Sequence, residues 1–162
     1  MQWGFINGSP NANGHTAKLG RHLLADQAVT EWPLVNYHLN QLGQHADQVD
    51  DFANLIHEIA QVDALLIGTP VYWSDMTGLL KTWLDRCTLV KAEFTKPIKL
   101  YALIDGTQAP AQTAPGIAPA IQQLGEFLNM TYQTSFIIDT SIVKRPSDYP
   151  QALAAYQEAL HD

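Results

Sequence analysis

Val62-Asp63-Ala64-Leu65-Leu66-Ile67-Gly68-Thr69-Pro70-Val71-Tyr72-Trp73-Ser74-Asp75-Met76 is the stretch on which the fold turns. From Val62 to Ile67 only Asp63 interrupts an apolar run, and the run does not alternate. A strand of that kind is buried on both faces, as in a parallel sheet covered by helices. Gly68 to Asp75 break the run. From Met76 the period changes: Met76, Leu79, Leu80, Trp83, Leu84 and Cys87 recur at the spacing of one helical face. Strand, loop and helix follow one another here as a βα unit.

The same pattern repeats outward. Apolar runs occur at Trp3 to Ile6, at Leu34 to Leu39 after Pro33, at Ile98 to Ile104 after Pro97, and at Phe136 to Ile138, extending back toward Tyr132. Between them lie helical stripes: Leu19, Leu23 and Leu24 after Gly14; Phe52, Leu55, Ile56, Ile59 and Ala60; Ile117, Ile121, Leu124 and Leu128, with Pro115 suited to a first turn. A last helix carries Leu153, Tyr156 and Leu160, with Ser147 as its expected N-cap. Five strands alternating with five helices predict an α/β three-layer sandwich around a five-stranded parallel sheet. Right-handed crossovers prune the topologies, and the flavodoxin-like order 2-1-3-4-5 is the simplest doubly wound solution. Ligands in such sheets bind outside the carboxyl ends of the strands, here the loops after strands one, three and four.

The 162 residues suit a single domain, 1–162. Nine Lys and Arg against sixteen Asp and Glu give a net charge of −7, which argues against a nucleic-acid partner. One cysteine, Cys87, excludes an internal disulfide and a cysteine-built metal site, and it fits a reducing, cytoplasmic setting. No apolar run approaches the roughly 18 residues of a membrane helix, so no membrane partner is expected. The segment from Met1 to Ile6 lacks a basic leader and a cleavage site and reads as the first strand.

Three loops carry the chemistry. The first, Gly8-Ser9-Pro10-Asn11-Ala12-Asn13-Gly14-His15-Thr16, has small residues that let a ligand approach the backbone. It also has hydroxyl and amide side chains on Ser9, Asn13 and Thr16, and it opens a helix whose N-terminus favours anions. These suit a phosphate monoester; an ordinary capped turn is the plainer alternative. The loop has neither the Gly-Lys-Ser/Thr of a Walker A sequence nor the Gly-x-Gly-x-x-Gly of a dinucleotide site. In the second loop, Tyr72 and Trp73 either cover a flat conjugated ring or close the end of the core. In the third, Asp105-Gly106-Thr107-Gln108, Gly106 allows a tight turn and Thr107 and Gln108 offer polar groups to a ring edge; a solvated loop is the alternative.

Gly8-Ser9-Pro10 through Thr16, Gly68 through Trp73, and Met76-Thr77-Gly78-Leu79-Leu80-Lys81 to Asp85-Arg86 together resemble the NAD(P)H-dependent FMN reductase family over about the first 110 residues. That family includes flavodoxin-like quinone, azo and nitro reductases and iron–sulfur flavoproteins. The resemblance implies FMN as cofactor and NAD(P)H as co-substrate, with electrons passing to a quinone, free flavin or other small aromatic acceptor. It implies a homodimer, and no catalytic side chain beyond the flavin. The phosphate would lie against Ser9, Asn11, Asn13, Gly14, His15 and Thr16. The ring would lie against Pro70, Val71, Tyr72, Trp73, Ser74, Asp105, Gly106 and Thr107. Asn11 stands where the family often has Arg, which leaves His15 as a source of positive charge. Asp75 stands where a small or uncharged residue is commoner. Leu39 to Asp51 contains no cysteine, which removes the cluster-bearing subfamily. The alternative function is a flavodoxin-type carrier reduced by a partner protein.

Other motifs carry less. His15, His22, His38, His45, His57 and His161 form no metal-binding spacing, and no metal is expected. Cys87 lies on an apolar helix face and reads as an inert buried thiol. No Gly-x-Ser-x-Gly elbow is present, and Asn7-Gly8 and Gly68-Thr69 stand where a response regulator needs its acidic residues. Lys144-Arg145 reads as a solvated basic pair, with contact to a 2′-phosphate as the sharper alternative.

Overall fold

A parallel strand covered on both faces sends alternate side chains into two different cores. The third strand does this: Ala64 and Leu66 enter one buried cluster, Leu65 and Ile67 the other, and all four are fully buried. The computed structural model describes residues 1–44, 49–157 and 160. Its strands are β1 (Gln2–Asn7), β2 (Ala28–Pro33), β3 (Ala64–Pro70), β4 (Ile98–Gly106) and β5 (Met130–Asp139). They pair in parallel in the order β2-β1-β3-β4-β5, as the sequence predicts.

The helices are α1 (His15–Leu23), α2 (Phe52–Ile59), α3 (Gly78–Arg86), the one-turn α4 (Pro110–Thr113), α5 (Ile117–Phe127) and α6 (Tyr149–Gln157). Leu19 and Leu23 of α1 and Tyr149 and Leu153 of α6 pack with Trp3, Phe5, Leu66, Leu103 and Phe136 on one face. Leu55 and Ile56 of α2, Leu80 and Trp83 of α3, and Ile117 and Ile121 of α5 pack with Ile6, Leu65, Ile67 and Ile104 on the other. Each buried Leu or Ile contributes about 1.5–3 kcal/mol relative to exposure, so the two cores hold the sheet rigid between them. β1 lies between β2 and β3, so the chain leaves it toward one face and later leaves β3 toward the other. The crevice between those two exits is the switch point.

The second strand lies ahead of its expected place. It is Ala28–Pro33, and the apolar Leu34–Leu39 run instead begins with a 3-10 turn over Leu34–Asn36. The cause is its position at the sheet edge. Ala28, Val29 and Thr30 are exposed, so the strand reads as polar, while Leu34 is buried against the α2 side of the sheet. Pro33 is tolerated as the last residue of an edge strand. Helix α3 starts at Gly78 and not at Met76, because the Thr77 side chain caps it. Cys87 begins the 3-10 turn that follows α3. Before α6 the residue that accepts backbone N–H groups is Asp148, from Lys144 and Arg145, and not Ser147.

Candidate active site

The first loop is wound by its own side chains. Asn7 Oδ1 accepts the Ser9 N–H (3.1 Å), Ser9 Oγ accepts the Asn11 N–H (3.1 Å), and Asn11 Oδ1 accepts the Asn13 N–H (3.0 Å). Three successive bonds of this two-residue reach turn the chain from β1 into α1 without regular structure. The N-cap of α1 is Gly14, which has no side chain to spend on the first turn. The N–H groups there are left to whatever enters the crevice. From outside, Arg21 braces the loop: it donates to Asn13 Oδ1 (3.1 Å), to the Ala12 carbonyl (3.1 Å) and to Glu31 (2.7 Å).

The second loop is tied to the first. The Gly8 N–H donates to the Gly68 carbonyl at 2.8 Å. A Cβ on Gly8 would lie 2.9 Å from that oxygen and 2.9 Å from Leu80 Cβ, so only glycine allows the approach. Thr77 Oγ1 donates to the Gly8 carbonyl (2.6 Å) and accepts the Leu80 N–H (3.1 Å), which joins the loop to the start of α3. Tyr72 and Asp75 exchange two backbone bonds, 2.9 and 3.1 Å, across a tight turn. Trp73 and Ser74 occupy its corners with φ of 52° and 64°, the left-handed region that non-glycine residues avoid. Trp73 is fully exposed at 101% and Tyr72 is half exposed at 51%. The Val71 N–H donates to the Asp105 carbonyl at 2.8 Å, which brings the third loop alongside.

These ties gather the loops around one pocket of about 300 Å³. Of the residues singled out from sequence, it brings together Ser9, Asn11, Gly14, His15, Thr16, Pro70, Val71, Tyr72, Asp105, Gly106 and Thr107. Asn13, Trp73 and Ser74 do not line it: Asn13 is held by Arg21, and the other two form the tip of the turn beside it. Thr140 does line it and was not expected. The signal for it was its place just after strand five, on the same sheet edge, where its N–H reaches the Gly106 carbonyl at 2.8 Å.

The floor of the pocket is acidic. Asp105 is only 3% exposed, and Thr16 Oγ1 donates to its Oδ1 at 2.6 Å. Burial pushes its carboxyl up to about 6, against the lowering effect of the Thr16 bond. His15 Nδ1 lies 3.4 Å from the Tyr149 hydroxyl. Asp75 is exposed, stands outside the pocket lining, and spends Oδ1 on the Met76 N–H at 2.7 Å. Burial pushes the Cys87 thiol far above its ordinary range, which keeps it inert. Among the described residues no cluster of three metal-binding side chains occurs; His45 and His161 lie outside them.

The family model of the NADPH-dependent FMN reductases matches residues 1–137. A Bacillus subtilis protein described as an NAD(P)H-dependent FMN-containing oxidoreductase is 29% identical over 98 residues, 53% of this chain and 51% of that protein. An iron–sulfur flavoprotein of Methanocaldococcus jannaschii is 38% identical over 50 residues, 31% of this chain and 25% of the other. The chain therefore aligns with about half or less of the curated relatives it matches. The Trp repressor binding protein of Bacillus subtilis has the same fold, with a TM-score of 0.72 at 19% identity over 98% of this chain and 99% of that one. So does an FMN-dependent NADH-azoreductase of Bacillus anthracis solved with FMN, with a TM-score of 0.69 at 11% identity over 98% and 97%.

Proposed function

The chain belongs to the NADPH-dependent FMN reductase family, and we propose that it is an FMN-dependent oxidoreductase that passes electrons from NAD(P)H to a small aromatic acceptor such as a quinone or free flavin. The observation that carries this reading is the convergence of three loop ends on one pocket at the uncapped start of α1. The residues present fit the cofactor. A phosphate would be met by the N–H groups of the first turn, by the Ser9 hydroxyl and by the Asn11 amide. The ring would lie toward Pro70, Val71, Tyr72, Gly106 and Thr107, where a Cβ on Gly106 would come 2.9 Å from Val71 Cβ and narrow the passage between the second and third loops.

Bound FMN would supply the redox chemistry, taking two electrons from NAD(P)H and giving them to the acceptor. The protein's part is position. The tie from Gly8 to Gly68 and the double role of Thr77 hold the phosphate end against the ring end. On this reading the flavin carries the chemistry and no acid–base pair is asked of the protein. We further propose that the 1–162 chain acts as one domain, that it works as a homodimer, and that it resides in the cytoplasm, in keeping with its single thiol.

An absorption spectrum of the purified protein tests the reading. A flavin band that bleaches within seconds on anaerobic addition of NADPH or NADH, and returns with benzoquinone, is the expected result. A bound flavin that dithionite reduces but neither nicotinamide does would make the protein a carrier. A chain that binds no flavin would end the proposal.

A further inference from the structure

The pocket holds a contradiction in charge. Its anion-attracting feature is the first turn of α1, yet Thr16 of that turn spends its hydroxyl on the Asp105 carboxyl at 2.6 Å. No Lys or Arg lines the pocket, and the one side chain in its wall that takes a positive charge is His15, which is exposed and lies 3.4 Å from the Tyr149 hydroxyl. The other groups around Asp105 do not relieve it. α6 presents the buried phenol of Tyr149, whose pKa is raised first by burial and further by the charges of Asp105 and Asp148, so it brings no charge to the pocket. The end of β5 presents Asp139, which is turned to the Ala109 and Ser141 N–H groups. The end of β3 and the loop after it present Pro70, Val71 and the half-exposed phenol of Tyr72, none of which brings a positive charge. The basic side chain of Arg21 is tied to Glu31 and to the outside of the loop.

An anion entering this crevice meets a second negative charge one side chain away. Two like charges in one desolvated site do not both persist; the group nearest to neutrality takes up a proton. Asp105 is that group, since its burial already favours the neutral form. Once protonated it also gains a donor, where the carboxylate had only acceptors. We propose that the pocket takes up its phosphate ester together with one proton from solvent, held on Asp105. On this account Asp105 sets how firmly a phosphorylated flavin is retained as pH rises. The inference rests on the FMN reading above and adds to it the linkage between phosphate and proton.

The test uses the full chain freed of flavin, titrated with FMN and with riboflavin. Calorimetry at about pH 7.5 in buffers of different ionisation enthalpy counts the protons. At that pH the free phosphate is already a dianion, its second pKa being about 6, so an uptake belongs to the protein. The expected result is about one proton taken up per FMN and none per riboflavin. The FMN dissociation constant should then rise about tenfold per pH unit between about pH 7 and 8.5, as one-proton linkage requires. Asp105→Asn should flatten that slope and bind FMN at least about tenfold tighter at the upper pH, while His15→Gln keeps the slope. No proton uptake by the unaltered chain would overturn the proposal. So would a slope that survives Asp105→Asn, or a loss of FMN and riboflavin affinity alike in that variant, which would make Asp105 an acceptor for a ligand hydroxyl. Failure to bind either flavin at any pH would instead overturn the FMN reading itself.

Discussion

Thr16 and Asp105 stand 89 positions apart in the chain, and their side chains meet at 2.6 Å. The bond joins the first turn of α1 to the end of β4 across the switch-point crevice. Both residues drew attention from sequence as ligand contacts. In the structure each is first of all the other's partner. The hydroxyl of Thr16 is committed to the carboxyl, so what the first turn offers a ligand at this position is the Thr16 backbone N–H.

The burial of Asp105 costs stability once its carboxyl ionises, and the Thr16 bond offsets only part of that cost. The Asp105 carboxyl is raised from 3.8 to about 6, so the folded protein holds this proton more tightly than the unfolded chain. Stability therefore falls as pH rises from about 4 to about 6, and the loss is complete above that window. Two units correspond to about 3 kcal/mol. Asp105→Asn, which keeps an oxygen to accept from Thr16, should be more stable by up to about 3 kcal/mol near pH 7, with the gain gone at about pH 4. Urea unfolding at the two pH values measures it, and a gain independent of pH would refute the assignment.

Ser9 is the hydroxyl of the first loop that faces the pocket while accepting from the Asn11 N–H. Its own hydrogen is available to an anion. Ser9→Ala should weaken FMN by about 1.5–3 kcal/mol, the range for a bond to a charged group, and change riboflavin only a few-fold. Fluorescence titration with both flavins checks this. Equal weakening of the two would place the phosphate away from Ser9.

The sheet was legible because its inner strands are apolar throughout and its helices keep clean stripes. Leu65 and Ile67 against Ala64 and Leu66 show what such a run buys: two cores from one strand. β2 was misplaced because the signal follows burial and not pairing. Exposed Val29 and Thr30 form the strand, while buried Leu34 does not. The pocket was legible as three loops on one edge, since strand direction alone brings them together. What sequence does not carry is which polar groups are already spent. Asn13 answers to Arg21, and Asp75 to the Met76 N–H, through bonds fixed only by the folded backbone.

Thr77 serves two loops with one hydroxyl, donating to the Gly8 carbonyl and capping α3 at Leu80. Thr77→Ala removes both bonds at a position only 3% exposed, which leaves the Gly8 carbonyl without its donor. A cap of this kind contributes about 1 kcal/mol, and the lost tie adds a comparable amount, so the melting temperature should fall by several degrees. Thr77→Ser keeps both bonds and should restore most of it. An unshifted melting temperature in the alanine variant would mean that the tie contributes nothing.

Trp73 departs from what folding alone would select. Its side chain is fully exposed and buries nothing, yet its φ of 52° is one that glycine adopts freely and tryptophan does not. The left-handed conformation costs a non-glycine residue roughly 1–2 kcal/mol. Strain retained at the rim of a pocket points to use by a ligand. Hydride transfer needs the nicotinamide held at about 3–3.5 Å from its acceptor, and an aromatic wall beside the ring supplies that positioning. Trp73→Gly should therefore leave the melting temperature unchanged or raised, since it relieves the strain and loses no burial. It should leave FMN affinity within a few-fold, because on the proposed reading the first loop would still anchor the phosphate. It should lower the rate of flavin reduction by NAD(P)H by about tenfold or more, read by anaerobic stopped-flow absorbance. A rate equal to that of the unaltered chain would show that the nicotinamide never meets this turn. A fall in FMN affinity matching the fall in rate would make Trp73 part of the flavin's own wall.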